Sequence, residues 1–195
     1  MESVGPYHPV VTGEHLDAEA LYRAHADFVA RFLLRLGVQG QDVADHLQEV
    51  FLVAHRRGGF IIGAAKPTTW LAEITLRIVQ SGRRKLRRSR EDADDDAIAA
   101  AQARKGSSPG EQVEASEALQ RVQQALDTLD EGKRAVFILF ELEGESCESI
   151  AAGLGIPVGT VYSRLHKARK QFMEAHARLV ESPARPVGRS QTVTS

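Results

Sequence analysis

Apolar residues recur at spacings of three and four positions along most of the chain, and no segment alternates convincingly between apolar and polar residues. Spacings of three and four bring side chains onto one face of an α-helix, whereas strict alternation is typical of a half-buried strand. The pattern therefore predicts an all-α fold.

Three helical patterns occupy the N-terminal half. The first follows the N-cap residue Asp17 and ends at Gly37. The second begins at Asp42, which forms a capping-box pattern with Asp45, and Thr68 is the predicted cap of the third. We expect these helices to share one small core. The predicted inward positions are Leu21, Ala24, Phe28, Phe32 and Leu36, then Val43, Leu47, Val50, Phe51 and Ala54, then Trp70, Leu71, Ile74 and Ile78.

A second helical unit follows in the C-terminal half. It opens with a leucine and valine repeat and continues into RAVFILFELE, which is apolar on nearly every side. A short helix of that kind belongs at the centre of its own core. The repeat consists of Leu119, Val122, Leu126 and Leu129.

The chain therefore divides into two small helical domains. Both ends lack periodic apolar positions, and the stretch between the domains combines acids, alanines and the breaker GSSPG. The predicted segments are a disordered N-terminus over 1–15, a first domain over 16–90, a flexible acidic linker over 91–112, a second domain over 113–180 and a disordered tail over 181–195.

Composition excludes several classes of protein. A single cysteine, Cys147, excludes an intramolecular disulfide framework and the usual zinc spacings. We also expect no other metal site and no cofactor. No apolar run reaches the roughly 18 residues of a membrane helix, and the N-terminus lacks the pattern of a secretion signal. We therefore expect a cytoplasmic protein without a membrane association.

The charge is segregated, although 25 basic and 26 acidic residues nearly cancel. Residues 77–90 hold seven basic side chains and no acid, and EDADDD follows directly. A solvated helix end would explain the basic run, and so would a surface that binds a polyanion such as DNA. The run alone does not decide between them.

The segment from Ser146 to Phe172 is typical of a helix-turn-helix motif. Ser146 caps a short helix, Gly155 allows a tight turn, and Pro157 precedes a second helix. Because its buried stripe takes every third or fourth residue, the second helix presents a polar and basic face that suits DNA. That face consists of Thr160, Tyr162, Ser163, Arg164, His166, Lys167, Arg169 and Lys170.

The segment IAAGLGIPVGTVYSRLHKAR resembles region 4 of the extracytoplasmic-function (ECF) sigma factors, which are small bacterial initiation factors of the sigma-70 family. DVADHLQEVF resembles the polymerase-binding helix of region 2, and TTWLAEI resembles the segment beside the promoter-melting loop. The matching positions are Asp42, Asp45, Gln48, Glu49, Val50 and Phe51 in the former and Trp70, Leu71 and Ile74 in the latter.

The resemblance implies a role for each domain. The second domain would read the −35 duplex through the polar helix face, and the first would hold the separated −10 strands through the loop over 60–69 and the basic run. The implied −10 and melting residues are Trp70, Arg77, Arg83, Arg84, Lys85, Arg87 and Arg88. The implied contacts to the β and β′ subunits of core RNA polymerase are Asp42, Asp45, Gln48, Glu49 and Phe51.

The resemblance also implies an anti-sigma factor as the regulator, beside core RNA polymerase and promoter DNA as partners. Two other classes of protein remain open. A helix-turn-helix regulator that never joins polymerase would explain the DNA-binding features but not DVADHLQEVF. A metal-dependent nuclease would use the DADDD run, yet consecutive acids do not form a rigid site and no nucleophile accompanies them.

Overall fold

The computed structural model of the protein describes residues 15–92 and 111–181, and the parts described are almost entirely helical. The all-α prediction is confirmed. The elements are β1 (His15–Leu16), α1 (Ala18–Arg35), a 3₁₀ turn (Gly40–Asp42), α2 (Val43–Arg56), β2 (Phe60–Ile61), α3 (Pro67–Asp92), α4 (Glu111–Asp127), α5 (Glu131–Phe137), a π-helical turn (Ile138–Leu142), α6 (Cys147–Leu154) and α7 (Val158–Glu181).

Helices α1, α2 and α3 pack against one another as the N-terminal domain. Asp17 caps α1 as predicted, and its carboxylate accepts the N–H of Ala20 at 2.8 Å. Gly37 follows the end of α1 with φ +90°, a conformation that glycine adopts without steric cost. The stacked rings of Phe28 and Phe32 lie on the buried face of α1.

The predicted start of α2 is confirmed, but its predicted capping box and the cap predicted for α3 are wrong. Asp42 is the N-cap residue of α2, yet it also ends the 3₁₀ turn, has a helical backbone conformation and makes no side-chain capping hydrogen bond. Thr68 lies inside the first turn of α3, which begins at Pro67. Proline fits a first helical position because its missing N–H would have no helical partner there.

A two-stranded antiparallel pair is the main departure from the helical pattern. Leu16 lies opposite Phe60 and His15 opposite Ile61, so β1 closes over the loop that follows α2. Two residues per strand are too few to produce an alternating pattern, which is why the sequence did not predict them.

Helices α4 to α7 form the C-terminal domain, with α7 packed against α4, α5 and α6. Asp130 caps α5 by accepting the N–H of Lys133 at 2.9 Å. The apolar segment from Ala135 to Leu139 is buried, as its composition predicts. Two positions expected to face inward, Ala24 and Leu119, are exposed.

The buried apolar side chains of the two domains form one continuous cluster rather than two separate cores. The main contact runs between α3 and α6, where Thr69 is packed against Gly153. Most of the linker predicted over 91–112 lies outside the described residues, and so do both predicted disordered ends except for His15, which belongs to β1, and Glu181, which ends α7. The domain boundaries therefore stay predictions.

Candidate functional site

Helices α6 and α7 meet in the helix-turn-helix geometry that the sequence predicts. The hydroxyl of Ser146 accepts the N–H of Ser149 at 3.1 Å and begins α6. Gly155 ends α6 in the left-handed conformation, with φ +63° and ψ +38°. The N–H of Ile156 then returns to the carbonyl of Ala151 at 3.1 Å, which fixes the turn before α7.

The outer face of α7 is polar and basic. Val161, Leu165 and Ala168 are buried, so the residues between them point away from the core. Tyr162 is 53% exposed near the start of the helix. Six of the predicted −35 residues are exposed and two are half-buried: Tyr162, Ser163, His166, Lys167, Arg169 and Lys170, then Thr160 and Arg164.

Two of these side chains also make contacts within the C-terminal domain. The guanidinium of Arg169 pairs with Glu141 and lies 5.0 Å from the ring centre of Phe140. Arg164 lies against Gly132 at the start of α5. The structure therefore holds these two arginines in defined positions at the surface.

Tyr162 connects the two helices of the motif. Its hydroxyl donates to the carboxylate of Glu148 at 3.2 Å, and this hydrogen bond together with the charge of Glu148 raises the pKa of Tyr162. The pKa of Glu148 is lowered, first by its own backbone hydrogen bond and then by Tyr162. Tyr162 thus presents a neutral hydroxyl beside a charged carboxylate.

Cys147 is a free cysteine with a buried side chain. It is buried at the start of α6, and burial raises the pKa of its thiol further than the nearby charge of Glu148 does. A raised pKa keeps the sulfur protonated and unreactive at neutral pH.

The basic run forms the exposed end of α3. Arg84, Lys85, Arg87 and Arg88 are exposed along this part of the helix. Arg83 differs, because its guanidinium donates to the carbonyl of Leu36 at 2.7 Å and pairs with Glu131 at 2.8 Å. Glu131 belongs to the other domain, so Arg83 joins the two domains.

Arg77 and Trp70 of α3 belong to a compact cluster that also includes residues from the end of α2 and from β2. Glu73, which is buried, pairs with Arg77 and also with Arg57 at 2.8 Å. Arg57 lies 6.0 Å from the ring centre of Trp70, and Phe60 packs on that ring at 5.6 Å. Trp70 is half-buried, and its ring contact with Phe60 ties α3 to the loop.

An open apolar groove of about 550 Å³ runs between α1 and α2. Tyr22 contacts Phe51 edge to face at 5.0 Å on its wall, and Leu47 and Leu52 complete the apolar lining. Gln48, a predicted polymerase contact, lies at its rim. Of the other predicted contacts, Asp45 and Glu49 are exposed, Asp42 is half-buried and Phe51 is buried.

A polar contact between the domains has no counterpart among the features predicted from the sequence. The hydroxyl of Thr68 donates to one carboxylate oxygen of Glu145 at 2.6 Å, and the ammonium of Lys66 lies 2.8 Å from the other. A second contact is made by Arg134, which is buried and donates to the carbonyl of Leu36 at 2.9 Å. Partners so far apart in the chain leave no local signal in the sequence.

Other kinds of site find no support in the described ranges. No group of histidine, cysteine or acidic side chains within 15–89 and 117–181 is arranged to hold a metal ion. The DADDD run lies outside the residues whose side chains are described. Among the described helices, none has the length and apolar character to cross a membrane.

Two family models match the chain. Sigma-70 region 2 matches residues 21–89, and sigma-70 region 4 matches residues 119–172. The first match covers α1 to α3, and the second covers the helix-turn-helix. A helical domain with a polymerase-binding pattern, followed by a DNA-binding helix-turn-helix domain, defines the class of bacterial initiation factors.

Sequence similarity to known sigma factors identifies the kind of initiation factor more closely. The chain is 33% identical over 162 residues to the ECF RNA polymerase sigma factor SigE of Mycolicibacterium smegmatis, covering 80% of this chain and 60% of that protein. It is 34% identical over 146 residues to the sigma factor HrpL of Pseudomonas syringae pv. syringae, covering 73% and 78%. It is also 34% identical over 156 residues to the ECF sigma-E factor of Escherichia coli K12, covering 74% and 76%.

Two solved structures have a fold similar to that of this chain. The sigma factor RpoE of Bartonella quintana, solved with the anti-sigma factor NepR, has a TM-score of 0.62 at 25% identity and covers 83% of this chain and 96% of its own. CnrH, solved with the cytosolic domain of CnrY, shares the fold with a TM-score of 0.56 at 23% identity, covering 83% and 88%. The chain belongs to the ECF sigma factors of the sigma-70 family.

Proposed function

We propose that the protein binds core RNA polymerase and directs it to promoters that its two domains recognise together. The exposed polar and basic face of α7 carries this proposal, since the buried stripe of Val161, Leu165 and Ala168 leaves that face for a ligand. A recognition helix reads base edges near its N-terminus while basic side chains hold phosphates.

In the C-terminal domain, α7 enters the major groove of the −35 duplex. Thr160, Tyr162 and Ser163 lie in its first turns and face the bases. The basic residues further along the helix contact the backbone, and they are Arg164, His166, Lys167, Arg169 and Lys170.

In the N-terminal domain, the loop over 60–69 and the exposed end of α3 hold the −10 region. Trp70 offers a half-buried ring beside this loop, and aromatic rings stack on unpaired bases. The basic side chains Arg77, Arg83, Arg84, Lys85, Arg87 and Arg88 hold the DNA backbone. Arg77 and Arg83 would first exchange their present carboxylate partners, Glu73 and Glu131, for phosphates.

The polymerase docks along α2. Asp45, Gln48 and Glu49 form the polar flank of that helix, and Phe51 lines the apolar groove beside it. An acidic rim next to an apolar groove suits a partner that presents basic and apolar side chains together. Asp42 completes the proposed contact set at the start of α2.

Regulation by an anti-sigma factor follows from the relationship to RpoE, which was solved with one. The protein would act in the cytoplasm, where the polymerase is, and would itself catalyse no reaction. A regulator that works without polymerase is not favoured, because it gives the region 2 match no role.

Transcription with purified core polymerase and a promoter library tests the proposal. We expect initiation at a discrete −35 and −10 pair only when the protein is present. Lys167→Ala should lower initiation at all selected promoters. It should also reduce the slope of the logarithm of DNA affinity against the logarithm of salt concentration by about one. Arg178→Ala is the matched control, since it removes a basic residue near the far end of α7. No protein-dependent initiation would refute the proposal.

Pull-down with core polymerase tests the α2 surface separately. Glu49→Ala should weaken binding to core polymerase, whereas Asp27→Asn, an exposed position on α1, should not. Equal binding by both variants and the wild type would remove α2 from the proposed contact set.

A further inference from the structure

We propose that Lys66 and Thr68 form a binding site for a phosphate of the promoter strand, and that the carboxylate of Glu145 occupies this site as an internal stand-in. The inference rests on the proposed function, because it assigns the loop before α3 to the −10 strand. The inference adds that this loop binds a phosphate of the strand and that a carboxylate of the same chain competes for the same site.

The carboxylate of Glu145 combines one hydrogen bond with one ion pair. One carboxylate oxygen accepts the hydroxyl of Thr68 at 2.6 Å, and the other lies 2.8 Å from the ammonium of Lys66. An ammonium and a hydroxyl are the groups that hold a phosphodiester oxygen, and a carboxylate presents two oxygens of similar charge.

Glu145, the internal competitor, is more deeply buried than the lysine of the site that it occupies. Glu145 is only 6% exposed, whereas the side chain of Lys66 is 60% exposed. When the two domains part, Lys66 and Thr68 remain at the surface at the start of α3 and can accept another anion. A promoter strand arriving while the domains are closed must displace Glu145 first.

Promoter geometry requires the domains to part. The −10 and −35 elements lie about 25 base pairs apart, which is about 85 Å of duplex at 3.4 Å per pair. Helix α7 spans only about 36 Å, and its domain touches the −10 loop directly through Glu145. The closed arrangement therefore cannot reach both elements, and opening it releases Lys66 and Thr68.

A close backbone approach supports the same contact. Gly153 on α6 packs so tightly on Thr69 that an added Cβ would lie 2.7 Å from the carbonyl carbon of Thr69, with the threonine side chain nearer still. Replacing Gly153 by alanine should push α6 away from α3 without changing any charge. Alanine also favours the helix that Gly153 occupies.

Binding of the full chain to a fluorescein-labelled 20-nucleotide single-stranded DNA of random sequence tests the proposal. Glu145→Gln keeps an acceptor for Thr68 but removes the negative charge. We expect it to tighten binding about fivefold, because a larger fraction of the protein has the site free. The salt slope should steepen by about 0.7, the value for one additional phosphate contact on a single strand.

Matched variants separate the site from a general change in charge. Asp27→Asn removes one exposed negative charge from α1 and should leave binding nearly unchanged. Lys66→Gln should have little effect in the wild-type chain but should abolish the gain in the Glu145→Gln background. Gly153→Ala should tighten binding as Glu145→Gln does, and circular dichroism will verify that every variant folds.

Equal affinities for Glu145→Gln and Asp27→Asn would overturn the proposal, and so would a gain that survives Lys66→Gln. The same preparations are assayed for initiation with core polymerase. If the protein supports initiation but Glu145→Gln shows no Lys66-dependent gain in DNA affinity, the phosphate site is refuted and the proposed function is not. A gain that depends on Lys66, without initiation, supports the site as a single-strand contact and refutes the proposed function.

Discussion

Asp130 shows how one side chain couples helix capping to charge. It accepts the backbone N–H of Lys133 and pairs with the ammonium of the same residue at 2.8 Å. Burial raises the pKa of Asp130, but the hydrogen bonds and charge of Lys133 and the charge of Arg164 outweigh burial, so the pKa lies below its ordinary value. Such a carboxylate stabilises the fold above its unfolded pKa, and the stabilisation is lost as the pH falls through its folded pKa.

We expect Asp130→Ala to lower the free energy of unfolding by about 1 kcal/mol at neutral pH, because α5 loses its cap. Asp130→Asn keeps an acceptor at the cap and should cost less. Urea unfolding at neutral pH and near pH 3 provides the measurement. The difference between wild type and Asp130→Ala should shrink at the lower pH, and an equal difference at both would contradict the assignment.

At the scale of the element, the turn between α6 and α7 depends on a single backbone conformation. Gly155 has φ +63°, and an added Cβ there would meet no atom within 4 Å. The cost of a side chain at this position is therefore conformational rather than steric.

Gly155→Ala should lower the free energy of unfolding by about 1 kcal/mol, the usual cost of a left-handed conformation for an L-residue. Asparagine tolerates that conformation better, so Gly155→Asn should cost less. Gly159→Ala is the control, because Gly159 lies inside α7, where alanine favours the helix and space is open. Thermal unfolding followed by circular dichroism measures all three, and equal effects would exclude the conformational explanation.

Local signals predicted the elements well. Asp17, Ser146 and Gly155 act within three or four residues of their own positions, so their roles can be read from the sequence. The capping box predicted at Asp42 does not form, because Asp42 also ends a 3₁₀ turn and has a helical backbone conformation there. Turns of this kind depend on the packing that follows them, which a single sequence does not reveal.

At the scale of the whole molecule, the unpredicted feature is the contact between the domains. The recognition face of α7 follows from periodicity, but the partners of Arg83, Arg134 and Glu145 lie about 50 to 100 positions away in the chain. Sequence periodicity identifies which face of a helix is buried and not what buries it. The two separate cores predicted from the sequence are for this reason one cluster in the structure.

A shared core predicts cooperative unfolding. Tryptophan fluorescence reports the N-terminal domain, since Trp70 is the only tryptophan in the chain, and circular dichroism reports both domains. We expect the two urea transitions to coincide in the wild-type chain. Gly153→Ala should separate them by weakening the contact between α3 and α6. Separate transitions in the wild type would show that the domains unfold independently.

The cluster of Trp70, Phe60 and Arg57 has a practical consequence. A lone indole beside a cation and a second ring emits light whose wavelength and yield depend on those neighbours and on water. Because the cluster borders the loop that meets α6, a change in the spacing of the domains alters its surroundings. The protein thus contains an intrinsic optical probe, and rapid mixing with a promoter oligonucleotide, which contains no tryptophan, would follow the proposed parting of the domains without any attached dye.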